Sequence, residues 1–194
     1  MKKIERVYRE ILFQAFEKEN RELTQKFLSN KCEVSIGNVN YALKPLENMN
    51  TIEKKAKKFL IIDPKKILIY WASIRNLSKD VIYETHSDKP LREIENEMPP
   101  CLFTAYSGYK FKWGEPPADY SEIYVYTDEE EVKRRFPPQK GKANIFVLKR
   151  DDHLTKFKET PVAQIYVDLW NLPSWYAREF IKSMEEKIDG ILER

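Results

Sequence analysis

The stretch Ser35–Ile62, SIGNVNYALKPLENMNTIEKKAKKFLII, constrains the fold more than any other part of the chain. Ile36, Val39, Leu43 and Leu46 recur at spacings of three and four, which puts them on one side of a helix facing a core. The opposite side holds Ser35, Asn38, Asn40, Tyr41 and Lys44. These are short donors and acceptors, one aromatic and one cation, the side-chain types that reach base edges and phosphates in a major groove. Ser35 is also placed to cap the helix through its hydroxyl. Pro45 lacks an N–H and crowds the preceding turn, so a kink near Tyr41–Lys44 or a restart at Pro45 is expected. Beyond the NMNT turn, Ile52–Lys54 and Phe59–Ile62 read as two short strands joined by a KKAKK tip. Lys54, Lys55, Lys57 and Lys58 suit contact with phosphates, and lysines of this kind also blunt an edge strand.

What precedes this stretch fits it. Ile4, Val7, Tyr8, Ile11, Leu12, Ala15 and Phe16 predict an amphipathic helix over Lys3–Lys18. Leu23, Phe27 and Leu28 predict a shorter helix within RELTQKFLSN. Helix, short helix, turn and helix is the helix-turn-helix order, and the lysine hairpin then stands where a wing would. Charge divides the same way: residues 1–77 hold 16 Lys+Arg against 9 Asp+Glu, and the remainder holds 18 against 22. Such asymmetry points to one half that meets a polyanion.

Asp63 and Pro64 open a fourth, apolar helix running to about Leu77, with VIYET as a short strand beyond it. From Pro99 an aromatic, proline-bounded segment leads to SEIYVYTD as strand, EEEVKRRF as helix and NIFVLKRDD as strand. Two closing helices are broken at Pro173. The expected fold class is therefore α+β or α/β, with a winged helix-turn-helix domain over 1–77, a connector over 78–98 and a small α/β domain over 99–194.

The remaining signals are weaker. Cys32 and Cys101 lie far apart with no CxxC pair, which predicts packed, reduced thiols and no zinc site. No cofactor or metal ligand set stands out. No apolar run is long enough to span a membrane, so a cytoplasmic chain without a membrane partner is expected. Asp128, Asp151 and Asp152 fall at strand ends, where carboxylates can hold a divalent metal. They motivate the alternative of a metal-dependent nucleotidyl- or phosphoryl-transfer enzyme acting on nucleic acid or nucleotide, although no Asp-x-Asp pair follows a Gly-Ser approach. His86 and His153 read as surface residues. Tyr106, Tyr109, Phe111 and Trp113 read as core, and Trp170, Trp175 and Tyr176 as core or interface. A protein-binding winged helix that meets no DNA is a further possibility.

Ser35, Val39, Leu43, Leu46 and Glu47, followed by Met49, Asn50 and Ile52, resemble the recognition-helix pattern of winged-helix transcription factors. TAYSGYKFKW, SEIYVYTDEEEVKRRF, NIFVLKRDD and VAQIYVDLWNL resemble the companion domain of AbiEi-type antitoxins from abortive-infection (type IV) toxin–antitoxin systems. The resemblance implies a DNA-binding autorepressor whose second domain is related to nucleotidyltransferase folds, with a separate protein toxin as possible partner. Double-stranded DNA and a homodimer on a palindromic site are the partners expected.

Overall fold

The fold, a computed structural model describing residues 1–193, begins with α1 (Lys3–Glu17), which turns Val7, Tyr8, Ile11, Leu12, Ala15 and Phe16 into a core. Thr24 then caps α2 (Gln25–Cys32), its hydroxyl accepting from Phe27 N at 3.0 Å. Glu33, with φ 54°, closes this helix in the left-handed region, and Ser35 opens α3 (Ile36–Asn48) two residues later. Leu23 does not join the α2 stripe. It sits in β1 (Glu22–Leu23), where pairing with Phe59 buries it. β2 (Ile52–Lys54) and β3 (Phe59–Ile61) form the hairpin, and the antiparallel sheet runs β1-β3-β2.

α3 continues through Pro45 without the expected restart. Pro45 deprives the Tyr41 carbonyl of its helical donor, and in the same turn the Tyr8 hydroxyl donates to Ala42 O at 3.1 Å, tying α3 to α1. A second expectation is corrected at the start of this helix: Val39, Ala42, Leu43 and Leu46 are buried, but Ile36 is 43% exposed. The first turn lies beyond the edge of the core.

α4 (Pro64–Ile74) has the Asp63 cap and the leading proline, and stops short of Leu77, which begins a separate 3₁₀ turn, Leu77–Asp80. A mixed sheet follows. β4 (Val81–Thr85), β5 (Leu102–Thr104), β6 (Ile123–Thr127) and β7 (Ile145–Lys149) lie in the order β4-β7-β6-β5. β6 and β7 are parallel, a pairing that needs a crossover connection, here through α7 (Glu129–Arg135); both outer pairings are antiparallel. Residues 78–98 contain β4 and α5 (Leu91–Glu97).

Every residue of β6 is buried, because helices cover both faces of the sheet. Ile123 and Val125 pack with Ile94, Val132 and Phe136 under α5 and α7. Tyr124 and Tyr126 face the other way, toward α6 (Ala105–Trp113), α8 (Val162–Trp170) and α9 (Ala177–Leu192). That second core runs without a break into the first: α8 packs on α1 and α4, and one buried cluster reaches from Val7 to Ile188. The fold class is mixed α+β. No helix among the described residues is long and apolar enough to cross a membrane.

The aromatic segment after Pro99 resolves into β5 and α6, joined at Ala105 with φ 52°. A Cβ on Gly108 would lie 2.9 Å from the Phe103 carbonyl oxygen, so only glycine lets α6 fold back this closely. Tyr106 and Tyr109 are core residues, whereas Phe111 is exposed.

Candidate nucleic-acid interface

Ser35 fixes where α3 starts. Its Oγ accepts from Asn38 N at 3.2 Å and from Asn38 Nδ2 at 3.0 Å, which ties the Asn38 amide to the cap and leaves its carbonyl oxygen as the group to offer outward. Asn40, Tyr41 and Lys44 follow on the solvent side, unpaired among the described residues, with Tyr41 69% exposed. Ile36 and Gly37 share this surface. A Cβ on Gly37 would meet nothing closer than Ser35 Oγ at 3.7 Å, so internal packing does not require glycine there. An exposed helical glycine costs about 0.5–1 kcal/mol relative to alanine. What it gains is close access to the first-turn backbone.

The hairpin closes through Lys55 N donating to Lys58 O at 2.8 Å. Its four lysines are not equivalent. Lys54 pairs with Glu47 at 2.6 Å and Lys58 pairs with Glu22, both carboxylates of the protein itself. Lys55 and Lys57 are exposed and form no ion pair among the described residues. Glu22 is held below the ordinary carboxylate range by the Lys58 hydrogen bond and charge.

Between the hairpin and the helices lies a groove of about 340 Å³, bordered by Thr24, Lys26, Ile36 and the Lys54–Phe59 turn. It brings the α3 start, the α2 start and the lysine tip to one surface. Lys26 does not stand out from residue order. The one signal it carries there is its place in the first turn of α2, where the helix macrodipole disfavours a cation and favours an anion nearby. Together these groups present cations, backbone N–H groups and short polar side chains on one convex helix and one projecting hairpin.

The strand-end acids serve other ends. Asp128 caps α7, accepting from Glu130 N at 2.9 Å. Asp152 is exposed beside Arg6. Asp151 is buried, and both its oxygens accept from Arg9, at 3.0 and 2.8 Å. Burial alone would push its carboxyl up; the Arg9 hydrogen bonds and charge, with Leu154 N and Arg6, hold it well below the usual value. Among the described residues no group of three His, Cys, Asp or Glu side chains is arranged to hold a metal ion.

His153 corrects the expectation of a surface residue: it is 1% exposed. Its Nδ1 faces Arg9 Nη1 at 3.2 Å and its Nε2 faces Glu10 at 2.9 Å. Since a guanidinium can only donate, Nδ1 must accept, and the ring is the neutral Nε2–H tautomer donating to Glu10. Burial and the Arg9 charge push its pKa down, against the pull of Glu10. His86 is partly exposed, between Lys142 O and Asp88.

From Arg9 the polar chain continues inward. Arg9 Nε donates to Gln164 at 2.8 Å, and Gln164 donates to Asp168 at 2.9 Å. Asp168, fully buried, also receives Thr104, Tyr126 and Arg75. Burial pushes its carboxyl up against these donors. Arg75 reaches back to Glu5 on α1 at 3.4 Å. This network, invisible in the sequence because its members are scattered from Glu5 to Asp168, fastens α1 and α4 to β5, β6 and α8. The thiols of Cys32 and Cys101 are free and are each pushed up to about 12 by burial. No family model, curated protein or solved structure matches the chain.

Proposed function

We propose that the chain is a DNA-binding regulator of the winged helix-turn-helix type, with α3 as recognition helix and the β2–β3 hairpin as wing. The element order α1–β1–α2–α3–β2–β3 and the three-residue α2–α3 turn support that topology. The observation that carries the reading is the asymmetry of the hairpin and α3: Val39, Leu43, Leu46 and Phe59 are buried, while Asn40, Tyr41 and Lys44 on α3 and Lys55 and Lys57 at the hairpin tip stand exposed and unpaired, the two lysines on the groove that Ile36 borders at the α3 start. Phosphate contacts from the lysines would supply affinity and the α3 side chains the base readout. A homodimer on a palindromic site multiplies the weak reading of a single helix.

The narrower role of antitoxin and autorepressor, with a separate toxin and a second domain related to nucleotidyltransferase folds, is supported by the AbiEi-type resemblance alone. Selection from a random pool of double-stranded DNA tests the central reading. An enriched motif of two inverted half-sites is the expected result; a pool without enrichment at low salt overturns it.

A further inference from the structure

At the far end of the molecule the chain exposes two indoles. Trp170 ends α8 and is 44% exposed; Trp175, in the link to α9, is 75% exposed. Trp170 lines a groove of about 500 Å³ that also takes in Leu172, Ser174 and Ile181, and Trp175 follows Ser174 in the chain. Large aromatics are the costliest residues to leave in water and the most enriched among interface hot spots. A rim of charge surrounds them. Arg178 and Lys182 border the groove, are exposed, and find no carboxylate among the described residues.

The charges along α9 identify what covers this face. On its groove side Arg178 and Lys182 precede Glu185 and Asp189 at spacings of four, three and four, while Glu179 in the first turn and Lys187 later lie off that side. Internally Glu185 gives one oxygen to the Tyr166 hydroxyl at 2.9 Å, and Asp189 meets Lys65 at 2.6 Å in a pair that stays open to solvent. A stripe that is basic at one end and acidic at the other complements itself when a second copy runs antiparallel across it. Such a two-fold contact repeats each pairing twice, since residue i meets j and j meets i. We infer that the groove beside Trp170, with the Arg178–Lys182–Glu185–Asp189 side of α9, is the homodimer surface, two α9 helices crossing antiparallel between Lys182 and Glu185. Arg178 of one protomer then faces Asp189 of its partner and Lys182 faces Glu185, while the Trp170 indole closes over the Leu172–Ile181 floor. This supplies the dimer that the DNA-binding reading calls for.

The test is made without DNA, so the surface and the regulatory reading can fail separately. Sedimentation equilibrium of the full chain, from micromolar to a few hundred micromolar, should show a reversible monomer–dimer equilibrium. Arg178→Glu with Lys182→Glu in one chain, and Glu185→Lys with Asp189→Lys in another, should each weaken self-association at least about tenfold. Mixing the two variants should restore dimers, a result that misfolded chains cannot give. Trp170→Ala should weaken association by at least a similar factor with an unchanged circular dichroism spectrum. A wild-type chain that stays monomeric throughout, dimers that persist in the variants, or charge-reversed chains that fail to pair with each other would overturn the inference.

Discussion

The guanidinium of Arg9 on α1 spans both carboxylate oxygens of Asp151, 142 positions later in the chain, with neither side chain open to water beyond a few per cent. The same guanidinium fixes the His153 tautomer and donates to Gln164. One side chain thus joins the helical, basic half to the mixed sheet. A charge so placed is tolerated only while its partner is present.

Removing either partner alone should be severe. Asp151→Ala or Arg9→Ala is expected to cost about 3–5 kcal/mol, because a buried charge is left uncompensated. Replacing Arg9 by Met together with Asp151 by Leu should recover much of that loss. Urea denaturation followed by tryptophan fluorescence and by far-ultraviolet circular dichroism gives the values. The two probes should report one coincident transition, since the core is continuous between α1 and α8.

Stability should also fall on the acid side, from His153 first. Its folded pKa lies below the ordinary value, so the unfolded chain binds the proton first as pH drops. Its contribution is complete above about pH 6.5 and is lost as pH falls through that value toward the folded pKa. Asp151, also depressed, adds a second loss that starts near the ordinary aspartate range. Urea midpoints measured from pH 8 to 4 should decline below pH 6.5, and a His153→Gln chain should lack that first decline.

In the hairpin, the unpaired lysines should matter most. Lys55→Gln with Lys57→Gln should flatten the slope of log K against log salt by about 0.9 for each phosphate that is no longer neutralised. Lys54→Gln with Lys58→Gln should change it less, because each of those cations already has a carboxylate partner. Titration of a fluorescent duplex at several salt concentrations separates the pairs. Equal slopes for wild type and the Lys55/Lys57 variant would remove the hairpin from the interface.

Gly37 separates folding from binding. Gly37→Ala should stabilise the protein by about 0.5–1 kcal/mol, since the added methyl meets only Ser35 Oγ, at an ordinary contact distance of 3.7 Å, within a helix. The same methyl would stand between the first turn of α3 and a phosphate, so affinity for duplex DNA should drop. A stabilised chain with undiminished affinity would place the DNA-facing surface elsewhere on α3.

How much of this was legible follows from what each feature depends on. The β2–β3 hairpin, the Ser35 and Asp63 caps and β6, α7 and β7 are written in local residue order, and the structure has them, with β7 ending at Lys149, three residues before the end of NIFVLKRDD. β1 is not: Glu22 and Leu23 are a strand only because Phe59 and Leu60 lie alongside. β5 and α6 escaped because Gly108 and its aromatic neighbours mask a helix that close packing on Phe103 selects.

The sequence by itself determined the periodicities, the caps and the basic bias of the first 77 residues, because each rests on neighbours a few positions apart. Only the tertiary structure decided which lysines are taken up by internal carboxylates, that Ile36 lies outside the core, and that His153 is buried and neutral between Arg9 and Glu10. Those outcomes depend on how separate elements come together: Lys54 meets Glu47 across the α3–β2 turn, Lys58 meets Glu22 across the sheet, and His153 is held by Arg9 and Glu10 because burial leaves its ring no water to turn to.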